Sequence, residues 1–180
     1  MLRWRWILAV MSAVLAIGFS ACGTKKLNAQ EQAQVKENLS KSYETTAKVK
    51  YHDFDTIMTI YKKPMNCATV RFESPENLKD FKLTYYTDKV AVDYKDMHFD
   101  FLPDTLPGKA ASSLVVSALN SAMSDTGVTV EQKEKQLIVK GEMDEGSFSL
   151  IIDRENGNIL KLSIPASELE TEILNFKILE

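Results

Sequence analysis

Few side chains in this chain of 180 residues are of types that do chemistry: two histidines, two cysteines and a scatter of carboxylates. Asp96, His98 and Asp100 stand at alternate positions. On a strand that spacing projects all three from one face, the complement of Met97, Phe99 and Phe101, and an imidazole with two carboxylates is a metal-ligating set. A zinc site of nitrogen and oxygen ligands draws a further residue from elsewhere in the chain, so the expectation here is a solvent-facing polar row and no metal. His52 with Asp53 and Asp55 reads as the end of a hairpin. Cys67 opens a run containing Val70 and Phe72. A nucleophilic thiolate needs a base within hydrogen-bond reach, and the sequence places neither histidine there; a half-buried structural cysteine is expected. Seven glycines leave little from which to build a phosphate cradle, and neither a Gly-rich loop nor a histidine and carboxylate zinc helix is present. The chain is therefore expected not to be an enzyme, with no catalytic residues and no cofactor. A hydrolase or metalloprotein using Asp96 and His98 is the third-ranked reading.

Cys22 is the exception. Arg3 and Arg5 precede an uncharged apolar run from Ile7 to Phe19, and Ser20 and Ala21 are the small residues before the cysteine. This is the architecture of an export signal, and the run is shorter than the ~20 apolar residues of a bilayer-spanning helix. The stretch resembles a bacterial lipobox, with Phe19 where leucine is usual. The resemblance implies a diacylglycerol on the Cys22 sulfur, cleavage before it, and an extracytoplasmic chain tied to the cell membrane by lipid, palmitate being a typical acyl group. The other reading is ordinary cleavage near Ala21 with a free thiol. Two acyl chains suffice for stable anchoring. Residues 1–21 are read as a lipoprotein signal peptide, 22–28 as lipidated cysteine and flexible tether, and 29–180 as one domain.

Arg3 and Arg5 are the only charged residues of that signal, so the remaining chain carries 20 basic against 25 acidic residues, a net charge of −5. Nucleic acid is thereby excluded as a partner, because phosphate binding depends on clustered cations. Once Cys22 is acylated Cys67 has no intramolecular partner, and stability must come from packing.

Asn28 followed by Glu31 forms a capping-box pattern ahead of a helix over Ala29–Lys41, whose apolar stripe is thin: Ala29, Ala33, Val35 and Leu39. From Tyr43 the periodicity changes to two. Ala47, Val49 and Tyr51, then Ala68, Val70 and Phe72, Val90, Val92 and Tyr94, and Met97, Phe99 and Phe101 alternate with polar residues. Ser74, Pro75 and Glu76 read as a one-turn helix start, and Asp88 and the Lys95–Asp96 pair as tight connections. After Pro103 and Pro107, Lys109–Met123 is the clearest amphipathic helix, with Leu114, Val115, Ala118, Leu119, Ala122 and Met123 on one face. Strands follow over 128–132, 136–140, 147–153, 159–164 and 171–178. Strict alternation is expected at Phe148, Leu150 and Ile152, at Leu160, Leu162 and Ile164, and at Leu174, Phe176 and Ile178, with Asn156–Gly157 as a hairpin signal. About ten strands with two helices set apart from them imply an α+β fold. Its large curved antiparallel sheet, a half-barrel, should carry an N-terminal helix and a central helix on the concave face.

Strand order together with Pro64, Arg71 and Pro75 ahead of the Asp88 turn, then Val92 and Tyr94, resembles the lipoprotein-carrier (LolA/LolB-like) superfamily over roughly Gln30–Leu179. It is also similar to envelope and germination lipoproteins of spore-forming clostridia. Asp88–Lys89 replaces the common Asp-Gly turn, and an acylated chain stays on one membrane where the soluble carriers shuttle. The resemblance implies a hydrophobic cavity for an acyl chain, lipid or lipopeptide. The residues expected to line it are Leu114, Val115, Ala118, Leu119 and Met123 of the central helix with Val92, Tyr94, Phe148, Leu162 and Phe176 of the sheet. Met58, Met97, Met123 and Met143 add adaptable thioether contacts. The same residues would serve equally as a filled core. The leading expectation is a membrane-anchored protein that binds a hydrophobic ligand. The alternative is a non-enzymatic anchored module that positions or regulates a cell-envelope enzyme, with that enzyme as protein partner.

Overall fold

A computed structural model describes residues 25–64, 67–105, 110–124 and 126–179. The export signal, Cys22 and the start of the central helix at Lys109 lie outside the described residues. The strands are β1 (Lys25–Lys26), β2 (Tyr43–Tyr51), β3 (Phe54–Lys62), β4 (Ala68–Ser74), β5 (Phe81–Tyr85), β6 (Val90–Tyr94) and β7 (Met97–Phe101). They continue as β8 (Thr129–Lys133), β9 (Gln136–Met143), β10 (Gly146–Asp153), β11 (Ile159–Ile164) and β12 (Leu169–Ile178). All twelve form one antiparallel sheet in the order β1-β8-β9-β10-β11-β12-β2-β3-β4-β5-β6-β7, and its two ends do not meet. With helices α1 (Ala29–Ser40) and α2 (Ala111–Ser121) the fold is α+β, a curved half-barrel.

The strand order dictates where the helices go. β7 and β8 are consecutive in the chain yet lie towards opposite edges of the sheet, so the segment between them, which contains α2, must cross the sheet. Likewise β1 lies beside β8, whereas β2 is central, so α1 crosses the half of the sheet that separates them. Both crossings fall on the apolar face, because only there can the helices bury their own apolar side chains.

That inner face follows the period of two. Tyr43, Thr45, Ala47 and Val49 on β2 oppose Lys62, Ile60, Met58 and Thr56 on β3, and all eight are buried. Ala68 and Val70 continue the face on β4, and Val139, Leu150, Leu162 and Leu169 are among its members on the other half. The expected capping box is formed: the Glu31 backbone N–H donates to Asn28 Oδ1 and the Asn28 N–H to Glu31 Oε2, each at 2.9 Å.

Several sequence expectations are corrected. Lys25–Lys26 is a strand on β8, not free tether: Leu27 is buried in the core and its N–H reaches the Val130 carbonyl, which draws the preceding residues alongside β8. Leu160 and Leu174 leave the inner face and are 37% and 54% exposed. Bulges cause both departures. On β11 Lys161 pairs with Ile151 and Ile159 with Ile152, which leaves Leu160 unmatched; on β12 Ile173 pairs with Ala47 and Asn175 with Thr46, which leaves Leu174 unmatched. One extra residue shifts the face of everything beyond it. Thr45 Oγ1 donates to the Asn175 carbonyl at 2.9 Å and so satisfies an acceptor at the second bulge. Ile178 keeps the inner parity but stands exposed at the rim, and Ala29 and Ala33 of α1 face solvent. Strands β3 and β5 complete the meander. Helix α2 is sunk deeper than one apolar face requires: Ser112 and Val116 are also buried, and none of its residues is exposed. Its Ser112 hydroxyl meets the Tyr85 hydroxyl at 2.8 Å, and burial pushes the Tyr85 phenol up to about 12.

Lys62 is the anomaly of the inner face, at 1% exposure, with Nζ donating to the Lys63 carbonyl at 2.7 Å. Burial lowers its pKa below the ordinary lysine value of 10.5, offset in part by Cys67. A buried ammonium costs free energy that an apolar side chain of similar size does not. Lys62→Met is therefore expected to match or exceed the parent in thermal stability at neutral pH. Above the depressed pKa the native parent sheds this proton before the unfolded chain does. Parent stability relative to Lys62→Met should then rise towards pH 10.5, as denaturant melts across that range would show.

Candidate functional site

The residues expected to line a cavity separate into three places. Leu114, Val115, Ala118 and Leu119 of α2 are packed into the core with Phe148 and Leu162, and half-buried Met123 adjoins them. Val92 and Tyr94 lie on β6 towards the β7 edge and are half-buried, Tyr94 stacking on Phe81 with ring centroids 4.2 Å apart. Phe148 borders a smaller hollow beside Gly141 and Pro165, and Phe176 faces the cleft under α1. Phe176 stacks on Tyr43 at 5.0 Å and lies beneath α1.

That cavity, of about 530 Å³, runs between α1 and the sheet. Its apolar lining comes from Leu27, from Val35 and Leu39 on α1, from Leu137 and Ile152 on β9 and β10, and from Phe176 and Ile178 on β12. A polar rim surrounds this floor: Glu31, Gln34, Asn38 and Lys41 on the helix side, and the β10–β11 turn from Asp153 to Gly157 on the other. Lys41 Nζ donates to Asn38 Oδ1 at 2.9 Å, Glu155 pairs with Lys135 at 3.1 Å, and Glu31 is held in the capping box. The size lies within the ~300–1,000 Å³ of ligand sites, and the apolar floor opens at a mouth where polar residues outnumber the apolar ones. It suits an amphiphile, with the chain inside and the polar end at the rim.

The cleft exists because α1 brings too little to the sheet. Only Val35 and Leu39 of its twelve residues are buried, and two side chains do not fill the width of sheet that the helix crosses. The thin stripe of a docked helix is visible in the sequence; its meaning as vacant space is not, because that depends on which strands lie beneath. Among the described residues no helix is long and apolar enough to cross a membrane.

The polar groups are accounted for differently than by sequence spacing. Asp96 lies in the turn, so the group around His98 is Asp93 at 2.6 Å from Nδ1 and Asp100 at 3.4 Å from Nε2. The hydrogen bond from His98, then that from Lys82, holds Asp93 below its usual range. Asp100 is lowered chiefly by its hydrogen bond from Lys89. Among the described residues no three histidine, cysteine or carboxylate side chains are grouped to hold a metal ion. His52 pairs with Glu168 at 3.3 Å in the turn before β3, at the end of that strand opposite Cys67, which is half-buried.

No protein-family model matches this chain, and no curated protein does. Solved structures are similar to it, three of them as follows. An uncharacterized conserved protein from Thermus thermophilus has a TM-score of 0.48 and 14% identity, over 84% of this chain and 88% of that one. A LolA superfamily protein from Nitrosomonas europaea has 0.47 and 7%, over 86% and 94%. A DUF1329 family protein from Desulfovibrio piger has 0.42 and 8%, over 83% and 92%.

Leu114 is a fully buried core position. Leu114→Ala should cost about 2–5 kcal/mol, as full-burial truncations do, read as a lower denaturation midpoint with an unchanged slope.

Proposed function

We propose that this chain is an extracytoplasmic lipoprotein, tied to the cell membrane through Cys22, that binds a hydrophobic ligand in the cleft between α1 and the sheet, with no catalytic role. The ligand class is an acyl chain, a lipid or a lipopeptide. The apolar-floored cleft of about 530 Å³ supports the binding half of this reading; the charged start, apolar run and small residues before Cys22 support the anchor. The two halves are connected by geometry. Leu27 lines the cleft and stands five residues after Cys22. Five extended residues reach at most ~18 Å, so the cleft stays close to the bilayer surface, where an amphiphile would be collected or delivered.

Two measurements test the two halves separately. A fluorescent fatty acid should bind the purified chain at one equivalent and be displaced by unlabelled fatty acid. Ile178 lines the cleft yet is 46% exposed, so Ile178→Glu should leave the thermal melt in place and weaken uptake by about tenfold or more, the scale of losing one buried aliphatic side chain. Leu174→Glu, on the outward-turned bulge residue, should bind as the parent does. Uptake that is absent, or indifferent to Ile178→Glu, sinks the binding half. In cells, Cys22→Ser should abolish acylation and release the chain from the membrane fraction; retention in that fraction would refute the anchor.

A further inference from the structure

The two edges of the sheet are built differently. At one end β1 has two residues, both lysine, a length and composition that discourage another strand from adding. At the other end β7 has five residues with no lysine and no proline, and among the described residues it pairs with β6 on one side only. Its inner row is apolar, with Met97 and Phe99 at 48% and 47% exposure and Phe101 half-buried.

The backbone of this edge has a definite polarity. Lys95 and Asp96 make a two-residue turn, with Lys95 at φ 52°, so the flanking Tyr94 and Met97 form a hydrogen-bonded pair. Alternation then directs the N–H and C=O of Met97, Phe99 and Phe101 to β6, and those of His98 and Asp100 away from the sheet.

We propose that β7 is an interface between two copies of this chain, paired antiparallel about a two-fold axis at Phe99. The segment Met97-His98-Phe99-Asp100-Phe101 is self-complementary about that centre. Phe99 meets Phe99 of the second copy, Met97 meets Phe101, and His98 meets Asp100 in the pair whose backbone groups point outward. Moving the axis by one residue keeps the faces matched but sets His98 against His98 or Asp100 against Asp100, and overlaps fewer residues. The outer row does not repel its copy, because Lys82 holds Asp93 and Lys89 holds Asp100, each at 2.8 Å. The contact is isologous and closed, which ends assembly at the dimer, and it buries the aromatic row that a monomer exposes. It is independent of the α1 cleft, which lies on the other half of the sheet.

Sedimentation equilibrium of the full chain in density-matched detergent should give a dimer. Phe99→Lys should weaken it by about tenfold or more with unchanged circular dichroism, since Phe99 is half exposed. In a Cys67→Ser background, Phe99→Cys should form a disulfide dimer on mild oxidation, because a non-hydrogen-bonded antiparallel pair has Cα atoms about 4.5 Å apart. His98→Cys, two residues out of register with its own copy, should not. A monomeric parent overturns the proposal, including one that carries a segment of a different protein on β7. A dimer indifferent to Phe99→Lys, or one crosslinked more readily through His98→Cys, overturns it as well.

Discussion

The pairing of β12 with β2 is the constraint on which the rest of this molecule depends. Leu169 opposite Tyr51 and Ile178 opposite Tyr43 mark its two ends, and between them the last strand of the chain joins the first long one. Without this ladder, β2–β7 and β8–β12 would be two separate meanders, each with one apolar face open to water. With it there is a single sheet, and the consecutive strands β7 and β8 are driven towards opposite edges. Laid flat, the ten strand spacings between them would span ~48 Å, whereas the eleven residues of α2 measure ~16 Å. Curling the sheet shortens that span and encloses the crossing helix. The half-barrel and its plug are thus one consequence of a single pairing.

Both helices cross the same face, yet they differ in what they bring. Helix α2 offers Leu114, Val115, Val116, Ala118 and Leu119 and fills the space beneath it. Helix α1 offers Val35 and Leu39 and does not. A hydrophobic ligand would supply the missing apolar surface, and the polar rim around the mouth is where its head would meet water. The seam between β12 and β2 forms part of the floor through Phe176 on Tyr43, so the closure that makes the fold also shapes the cleft.

Much of this was legible in the sequence because period-two alternation and capping are local. The inner faces of β2, β4, β6 and β10 and the Asn28–Glu31 capping box read directly from spacing. Leu160 and Leu174 did not, because a bulge is decided by how two strands match in length and twist, and neither strand records it alone. Helix α2 was readable as the covering helix, but its apolar residues could not distinguish a cavity from a filled core; that depends on the facing side chains, buried Phe148 and Leu162 among them, which lie far away in the sequence. The cleft itself brings together residues as far apart as Leu27, Leu137 and Phe176, which no local pattern connects.

The decisive experiment is native mass spectrometry of the full chain purified without added lipid. The account predicts one non-covalently held amphiphile per chain, beyond any lipid attached at Cys22, that added fatty acid displaces. A mass equal to the chain and its covalent lipid alone, unchanged when fatty acid is added, would contradict it and leave the space under α1 as no more than imperfect packing.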